Sequence, residues 1–144
     1  MFIHTALYQM AVFMKKVDPS QIKKEADLQQ IASKYGFAPK VYSVTDSEIH
    51  MEDLQNMCIA DMYGDDPKDI PDYIWKSIRF ILYTLYHQAG IEYIDITPYN
   101  FIEKDKKVYI IDFGHAMYKA ERPQMNWFLK EFIEGTNGWN PDFN

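Results

Sequence analysis

The segment Asp95-Ile96-Thr97-Pro98-Tyr99-Asn100, followed by Ile110-Ile111-Asp112-Phe113-Gly114, decides the fold of this chain. Residues 101–103 and 108–111 between them have the composition of strands, and residues 104–107 form a polar turn, so the pattern predicts a hairpin. Because the two strands fold back on each other, Asn100 and Asp112 are expected to lie side by side. Two aspartates and an asparagine therefore surround one short hairpin.

Oxygen-bearing side chains at the end of that hairpin suit a magnesium ion. Mg²⁺ takes few protein ligands and completes its coordination shell with water and phosphate oxygens. We therefore expect Asn100 and Asp112 to be its ligands. Asp95 lies one loop away, where it is placed to orient a hydroxyl group or accept its proton.

This ordered set of residues resembles the protein kinases. The segment from Tyr93 to Asn100 is similar to the kinase catalytic loop H-R-D-L-x-x-x-N, and Asp112-Phe113-Gly114 is similar to D-F-G. The variant Asp-Ile-Thr-Pro-Tyr-Asn is closer to the RIO-type atypical kinases than to ordinary ones. The resemblance implies an α+β fold, a minimal bilobal kinase-like fold with ATP and Mg²⁺ bound between its lobes. A kinase-like chain of only 144 residues is also similar to the reduced kinase-like proteins of large DNA viruses.

The resemblance assigns roles to residues throughout the chain. Val12-Phe13-Met14-Lys15 resembles the kinase strand V-A-I-K, so Lys15 would contact the α- and β-phosphates of ATP. Glu25, on the following helix, would hold Lys15 by an ion pair. Among the motif residues, Asp95 would be the catalytic base, and the metal would be bound by Asn100 and Asp112. Met51 would be the gatekeeper residue. The hinge would follow it, where backbone groups of Glu52, Asp53 and Leu54 would bind adenine.

Composition limits the possible class of protein. The chain has 144 residues, of which 47% are hydrophobic and 16% aromatic, so we expect one packed domain. Its net charge of −6 argues against nucleic acid or an anionic membrane as the main partner. The single cysteine, Cys58, excludes an intrachain disulfide, and residues 1–14 show neither a signal peptide nor a membrane span, so we expect an intracellular protein.

Hydrophobic periodicity predicts the order of the elements. Strands are expected from Phe2 to Lys16 and in residues 40–44 and 48–51. Helices are expected to begin with the cap Asp18 and Pro19, after Pro71, and at Pro123. A short helix is expected in residues 56–63. Residues 1–144 are thus interpreted as one kinase-like domain, with 1–54 a reduced N-lobe containing one helix and 55–144 a truncated C-lobe.

Three features depart from the kinase pattern. The first glycine of the chain is Gly36, so no Gly-rich loop precedes Lys15 to cover the phosphates. Tyr93 and Ile94 replace the usual His and Arg, and Thr97 replaces a lysine whose charge would lie near the transferred phosphoryl group. No A-P-E motif follows the D-F-G segment.

These departures leave alternatives open. The first hypothesis is a RIO-like serine/threonine phosphotransferase that acts on a hydroxyl group of a protein or small molecule. The second is a pseudokinase that uses the same fold as an interaction or structural module with a protein partner, in a larger assembly. A small-molecule kinase of the aminoglycoside or choline type is a third and weaker hypothesis, because few residues follow Gly114 to build a substrate lobe.

Overall fold

A three-stranded antiparallel sheet opens the described part of the chain. The computed structural model describes residues 11–143, so most of the strand expected from Phe2 onward lies outside the described residues. Strand β1 (Val12–Lys16) pairs with the central strand β3 (Glu48–Glu52), which also pairs with β2 (Val41–Val44). Ile49 and Met51 alternate with more exposed neighbours along β3, as the two-residue period of a strand requires.

Helix α1 (Ile22–Lys34) covers one face of this sheet, where Ile22 and Ala26 pack against Ile49 and Met51. The expected helix start at Asp18 and Pro19 is wrong by three residues. The carboxylate of Asp18 accepts hydrogen bonds from the backbone N–H and the hydroxyl of Ser20, at 2.8 and 2.7 Å, and so closes a turn ahead of the helix.

The expected hairpin is present, with a tighter turn than the sequence indicates. Strands β5 (Phe101–Lys104) and β6 (Lys107–Ile110) pair in register from Phe101 opposite Ile110 to Lys104 opposite Lys107. Only Asp105 and Lys106 remain in the turn, with φ of 53° and 65°. Positive φ at both central residues is the conformation of a type I′ turn, which matches the twist of the strands.

Helix α3 (Asp72–Thr84) forms the centre of the larger core, and α2 (Ile59–Tyr63) precedes it. One wider helical turn, Leu85–Ala89, extends α3 to Gly90, whose φ of 70° ends it. The four residues expected to share its inner face are all buried, namely Ile74, Ile78, Ile81 and Leu85. Each such side chain contributes about 1.5–3 kcal/mol on burial, so this face stabilises the fold.

Helix α4 (Trp127–Ile133) packs against α3 through Phe128, Leu129 and Phe132. It begins four residues after Pro123, so the expected start was wrong here too. The side-chain oxygen of Asn126 accepts hydrogen bonds from the N–H groups of Phe128 (2.9 Å) and Leu129 (3.2 Å). Asn126 is therefore the N-cap, because it satisfies two donors of the first turn.

A second short pairing joins two strands that the sequence did not predict. Strand β4 (Ile91–Glu92), directly after α3, pairs antiparallel with β7 (Met117–Tyr118), which follows the D-F-G segment. The resulting architecture is α+β, in agreement with the expected class. Within residues 11–143, no helix has the length and apolar composition needed to cross a bilayer.

Candidate active site

Lys15 connects three separate parts of the chain. Its ammonium group donates one hydrogen bond to Glu25 Oε2 on α1 and another, of 3.0 Å, to Asp112 Oδ1 beyond β6. The exposed fractions of the three side chains are 22% for Lys15, 6% for Glu25 and 40% for Asp112. The glutamate is thus enclosed, whereas the aspartate is exposed to solvent.

The charge of Lys15 is maintained by its two partners. Burial is the largest single influence and lowers its pKa, but the hydrogen bonds and negative charges of Glu25 and Asp112 together raise the pKa above its ordinary value. Lys15 is therefore a fixed positive charge at neutral pH. A fixed ammonium group at the edge of a cleft suits a phosphate group as its ligand.

Asp112 and Asn100 each use one side-chain atom to fix their position. Asp112 Oδ1 accepts hydrogen bonds from Lys15 and from the N–H of Gly114 (2.8 Å), while its Oδ2 receives none from residues 11–143. Asn100 Nδ2 donates to the carbonyl of Asp95 (2.9 Å), which leaves its side-chain oxygen available. The carbonyl of Asn100 also accepts the N–H of Ile111 (2.9 Å), so the two ends of the hairpin are adjacent.

This donor set fits a magnesium ion and not a closed metal cage. The described residues 11–143 contain no group of three or more His, Cys, Asp or Glu side chains arranged to hold a metal ion. One carboxylate oxygen and one amide oxygen at the hairpin end agree with Mg²⁺, which is often held by one or two protein ligands together with substrate phosphates. Binding of the ion by Asn100 and Asp112 stays a prediction.

Tyr93 is a site residue that the sequence marked only as a departure from the kinase pattern. Its buried hydroxyl donates to the carbonyl of Asp112 (2.7 Å). Burial, together with the charges of Asp95 and Asp112, raises the pKa of Tyr93 well above its ordinary value. The hydroxyl therefore stays protonated and holds the backbone of Asp112, one of the two residues expected to bind metal. The available signal was its position, two residues before Asp95, where kinases usually carry histidine.

Asp95 lies just beneath the surface, beside a histidine. Its side chain is buried, and its Oδ2 lies 3.2 Å from Nδ1 of His115. His115 directly follows the D-F-G segment and exposes 64% of its side chain. Thr97, which stands in place of the usual lysine, is buried and carries no charge. The basic side chain in contact with the carboxylate of Asp95 is instead that of His115.

The four residues expected to meet adenine surround one cleft. Its volume is about 180 Å³, and it is closed on the other side by Phe13 of β1 and by Ile102 and Ile111 of the hairpin segment. Two backbone donors of this stretch are already used, since the N–H groups of Glu52 and Asp53 bond to the carbonyls of Lys40 (2.8 Å) and Ala11 (3.0 Å). The residues brought together on the hinge side are Met51, Glu52, Asp53 and Leu54.

Two contacts tie α1 to the segment that follows Gly114. Lys24 pairs with Glu121 at 2.8 Å, and the hydroxyl of Tyr118 donates to Asp27. The hydrogen bond to Asp27 is the main reason why the pKa of Tyr118 rises to about 12. The larger groove beside these contacts, about 680 Å³, lies between α1 and Tyr118, and neither Lys15 nor Asp112 lines it. These contacts hold α1, and with it Glu25, close to the D-F-G segment.

Comparison with known proteins now decides the family. The sequence profile of the RIO domain matches residues 8–136, which is most of the chain. The chain belongs to the RIO domain family. This assignment confirms the resemblance inferred from residues 93–100 and 112–114, and it agrees with a small, reduced kinase-like fold.

Individual relatives of this RIO domain agree with the family. Over 128 residues the chain is 27% identical to a probable serine/threonine-protein kinase BUD32 homolog of Archaeoglobus fulgidus. That alignment covers 88% of this chain and 62% of the relative, so the chain spans less than two thirds of the length of the curated protein that it matches.

Two solved structures are similar to the fold. A complex of Rv3197 with erythromycin, from Mycobacterium tuberculosis, has a TM-score of 0.56 and 19% identity, and the match covers 69% of this chain and 27% of that one. At this identity the likeness shows the fold alone. A co-crystal structure of WbdD with the kinase inhibitor LY294002 has a TM-score of 0.49 and 22% identity, covering 76% of this chain and 29% of that one.

Proposed function

We propose that this RIO domain is an atypical serine/threonine kinase that transfers the γ-phosphoryl group of Mg·ATP to a hydroxyl group of a protein or small molecule. The observation that carries the proposal is the contact of Lys15 with both Glu25 and Asp112. It joins the sheet, α1 and the D-F-G segment at one point, and the resemblance to kinases assigns these three residues to the binding of Mg·ATP. Residues 1–54 and 55–144 would be the two lobes of a single domain.

The adenine of ATP would occupy the cleft between the sheet and the hairpin. Phe13, Met51 and Ile111 offer apolar surface to its two faces. Because the N–H groups of Glu52 and Asp53 are engaged within the sheet, the base would pair with backbone groups farther along the hinge, at Leu54. This predicts recognition through the backbone, with little dependence on the side chains of Glu52 and Asp53.

The phosphates would extend from this cleft toward Lys15 and the hairpin end. Lys15 would contact the α- and β-phosphates as a positive charge already oriented by Glu25. Asn100 and Asp112 would hold Mg²⁺ through their remaining oxygens, with Tyr93 fixing the backbone of Asp112 and the carbonyl of Asp95 fixing the amide of Asn100. The bound ion would neutralise charge that develops on the phosphate oxygens during transfer.

Asp95 would orient the attacking hydroxyl and accept its proton as the new O–P bond forms. The bond from the γ-phosphorus to the bridging oxygen breaks in the same step, and ADP leaves. Oδ2 of Asp95 contacts His115, whose side chain is 64% exposed, so the acceptor would approach from the side of His115. This geometry suits a hydroxyl carried on an accessible segment.

The second candidate function is a pseudokinase that binds nucleotide or a protein partner without turnover. Two observations favour it: the first glycine is Gly36, and buried Thr97 occupies the position of the usual lysine. Both remove groups that would stabilise transferred phosphate. The two candidates differ in turnover, which is directly measurable.

The test measures thermal stabilisation by Mg·ATP and then transfer of labelled γ-phosphate to a generic protein acceptor or to the protein itself. We expect Asp112→Ala to lose both effects, because it removes a metal ligand and a partner of Lys15. Asp95→Asn should keep the thermal shift and lose about 10²–10⁴-fold in transfer rate. Asp46→Ala, in the exposed loop between β2 and β3, is the matched control and should change neither.

The outcomes separate the candidates. Stabilisation with transfer that depends on Asp95 supports the kinase. Stabilisation without transfer supports a nucleotide-binding pseudokinase. If Mg·ATP produces no stabilisation at millimolar concentration, the nucleotide-binding proposal is wrong.

A further inference from the structure

Asn140 holds the backbone on both sides of Asp95. Its N–H donates to the carbonyl of Ile96 (2.8 Å), and its side-chain Nδ2 donates to the carbonyl of Ile94 (2.9 Å). Asn140 is only 4% exposed, although asparagine is usually found at the surface. Through its backbone and its buried side chain, Asn140 thus fixes the peptide unit directly before Asp95 and the peptide unit that follows Ile96.

The orientation of the Asn140 amide is fixed by a third contact. The N–H of Asp142 donates to Asn140 Oδ1 (3.1 Å), so the oxygen is an acceptor there and Nδ2 must face Ile94. Within the loop, the N–H of Ile96 donates to Ile94 (2.9 Å), the N–H of Thr97 donates to Asp95 (3.0 Å), and Asn100 Nδ2 donates to the carbonyl of Asp95 (2.9 Å). Asn140 adds a restraint from outside the loop, 46 residues along the chain from Ile94.

Packing anchors the residue next to Asn140. The ring of Trp139 is buried against Trp75 of α3, with centroids 4.4 Å apart, and against Phe101 of β5, with centroids 6.5 Å apart. Burial of a tryptophan between a helix and a strand fixes the backbone that follows it. Asn140 is thus held by the main core and not by the loop that it contacts.

The same segment also contacts the carboxylate side of the base. The ring of Phe143 lies 5.2 Å from the ring of His115, measured between centroids, and His115 meets Asp95 Oδ2 at 3.2 Å. Residues 139–143 thus make two contacts around Asp95. Asn140 bonds to the backbone of its loop, and Phe143 packs against His115, the partner of its carboxylate.

We propose that residues 139–143 form a positioning element for Asp95, in which Asn140 fixes the backbone of the loop and Phe143 holds His115 against the carboxylate. The proposal rests on the proposed phosphotransfer function. Asn140 is a positioning residue, since it acts through the loop and does not touch the reacting atoms. A catalytic group displaced by about 1 Å loses about 10²-fold in rate, so a loosened loop should slow the chemical step without weakening ATP binding.

The main test compares Asn140→Ala with Asn137→Ala, a control at a half-buried position whose side chain bonds to Glu131 (3.2 Å) and not to the loop of Asp95. We expect Asn140→Ala to lower kcat by about 10–100-fold, with the KM for ATP changed less than twofold because the adenine cleft and Lys15 are untouched. Asn137→Ala should behave as the wild type. Phe143→Ala is the second variant, at a partly exposed position, and should lower kcat less than Asn140→Ala with unchanged KM for ATP.

A readout that needs no turnover separates this inference from the proposed function. Backbone hydrogen exchange at Ile96 and Thr97 should accelerate in Asn140→Ala, whereas exchange in α3 should not change. If the wild type transfers no phosphate, the proposed function fails, yet accelerated exchange limited to this loop still supports the positioning role.

Several results would overturn the positioning role. An unchanged kcat in a folded Asn140→Ala protein is one such result. Unchanged backbone hydrogen exchange at Ile96 and Thr97 in that variant is another. If Asn140→Ala does not fold, Phe143→Ala decides the question: a wild-type kcat in that variant overturns the proposal, and a lowered kcat with unchanged KM supports it.

Discussion

Replacement of Lys15 by methionine should destabilise the protein through Glu25 and not through lost packing, since methionine has nearly the same length and shape. Within residues 11–143, Lys15 is the one hydrogen-bond donor to the carboxylate of Glu25, whose side chain is 6% exposed. Removing one partner of a buried ion pair costs about 3–5 kcal/mol. Because the lysine itself is 22% exposed, we expect a loss of about 2–4 kcal/mol in the free energy of unfolding.

Substitution of the other partner, Glu25, should lower the free energy of unfolding by less. In Glu25→Leu, Lys15 keeps Asp112 at 3.0 Å as a partner, at a position that solvent reaches. We expect a loss of about 1 kcal/mol, the typical value of one hydrogen bond. The double variant Lys15→Met/Glu25→Leu should return to within about 1 kcal/mol of the wild type, because a buried pair can be replaced by apolar residues of similar volume.

Urea unfolding at pH 7, with the m-value checked for constancy, gives the four free energies of this cycle. The expected coupling energy is about 2 kcal/mol or more. Lys16→Met is the matched control, since Lys16 is exposed on the same strand, and it should change stability by less than about 0.5 kcal/mol. Additive effects of the two single substitutions would contradict this expectation, because they would mean that Lys15 and Glu25 do not depend on each other.

Substitutions at three further positions test other parts of the structure. Tyr118→Phe should flatten the pH dependence of the free energy of unfolding between pH 10 and about 12. The hydrogen bond to Asp27 contributes fully below the ordinary tyrosine pKa of 10.0 and is lost as the pH rises through about 12. The same pH dependence of the free energy of unfolding in both proteins would contradict this. Asn126→Ala should cost about 1 kcal/mol and Asn126→Asp much less, measured by urea unfolding, because only the first removes the cap of α4. Gly114→Ala should reduce the thermal shift with Mg·ATP, because a Cβ there would lie 3.1 Å from Asp112 Oδ1; an undiminished shift would show that Asp112 has room to move.

The parts of the fold that were predictable are those set by local sequence. The hairpin after Asn100 and the buried face of α3 follow from residue spacing alone, since side-chain periods of 2 and about 3.6 determine which residues share a face. The relation of Lys15 to Glu25 and Asp112 was reached through the resemblance to kinases, because 97 residues separate Lys15 from Asp112.

The parts that were missed depend on competition or on distance along the chain. Both helices whose starts were predicted wrongly are preceded by a polar side chain, Asp18 or Asn126. The hydrogen bonds of these side chains determine where the first helical turn begins. Tyr93 and Asn140 act through carbonyl groups of distant residues, and no local pattern marks such contacts. Strands β4 and β7 have two residues each, too few to show a period.

The most direct test of the account is a structure of this protein with Mg²⁺ and a non-hydrolysable ATP analogue. We expect one metal ion about 2.0–2.1 Å from Asp112 Oδ2 and from the side-chain oxygen of Asn100. The triphosphate should lie against Lys15, with the adenine in the cleft beside Leu54. A triphosphate bound elsewhere, or a metal ion held by other side chains, would contradict the proposed site.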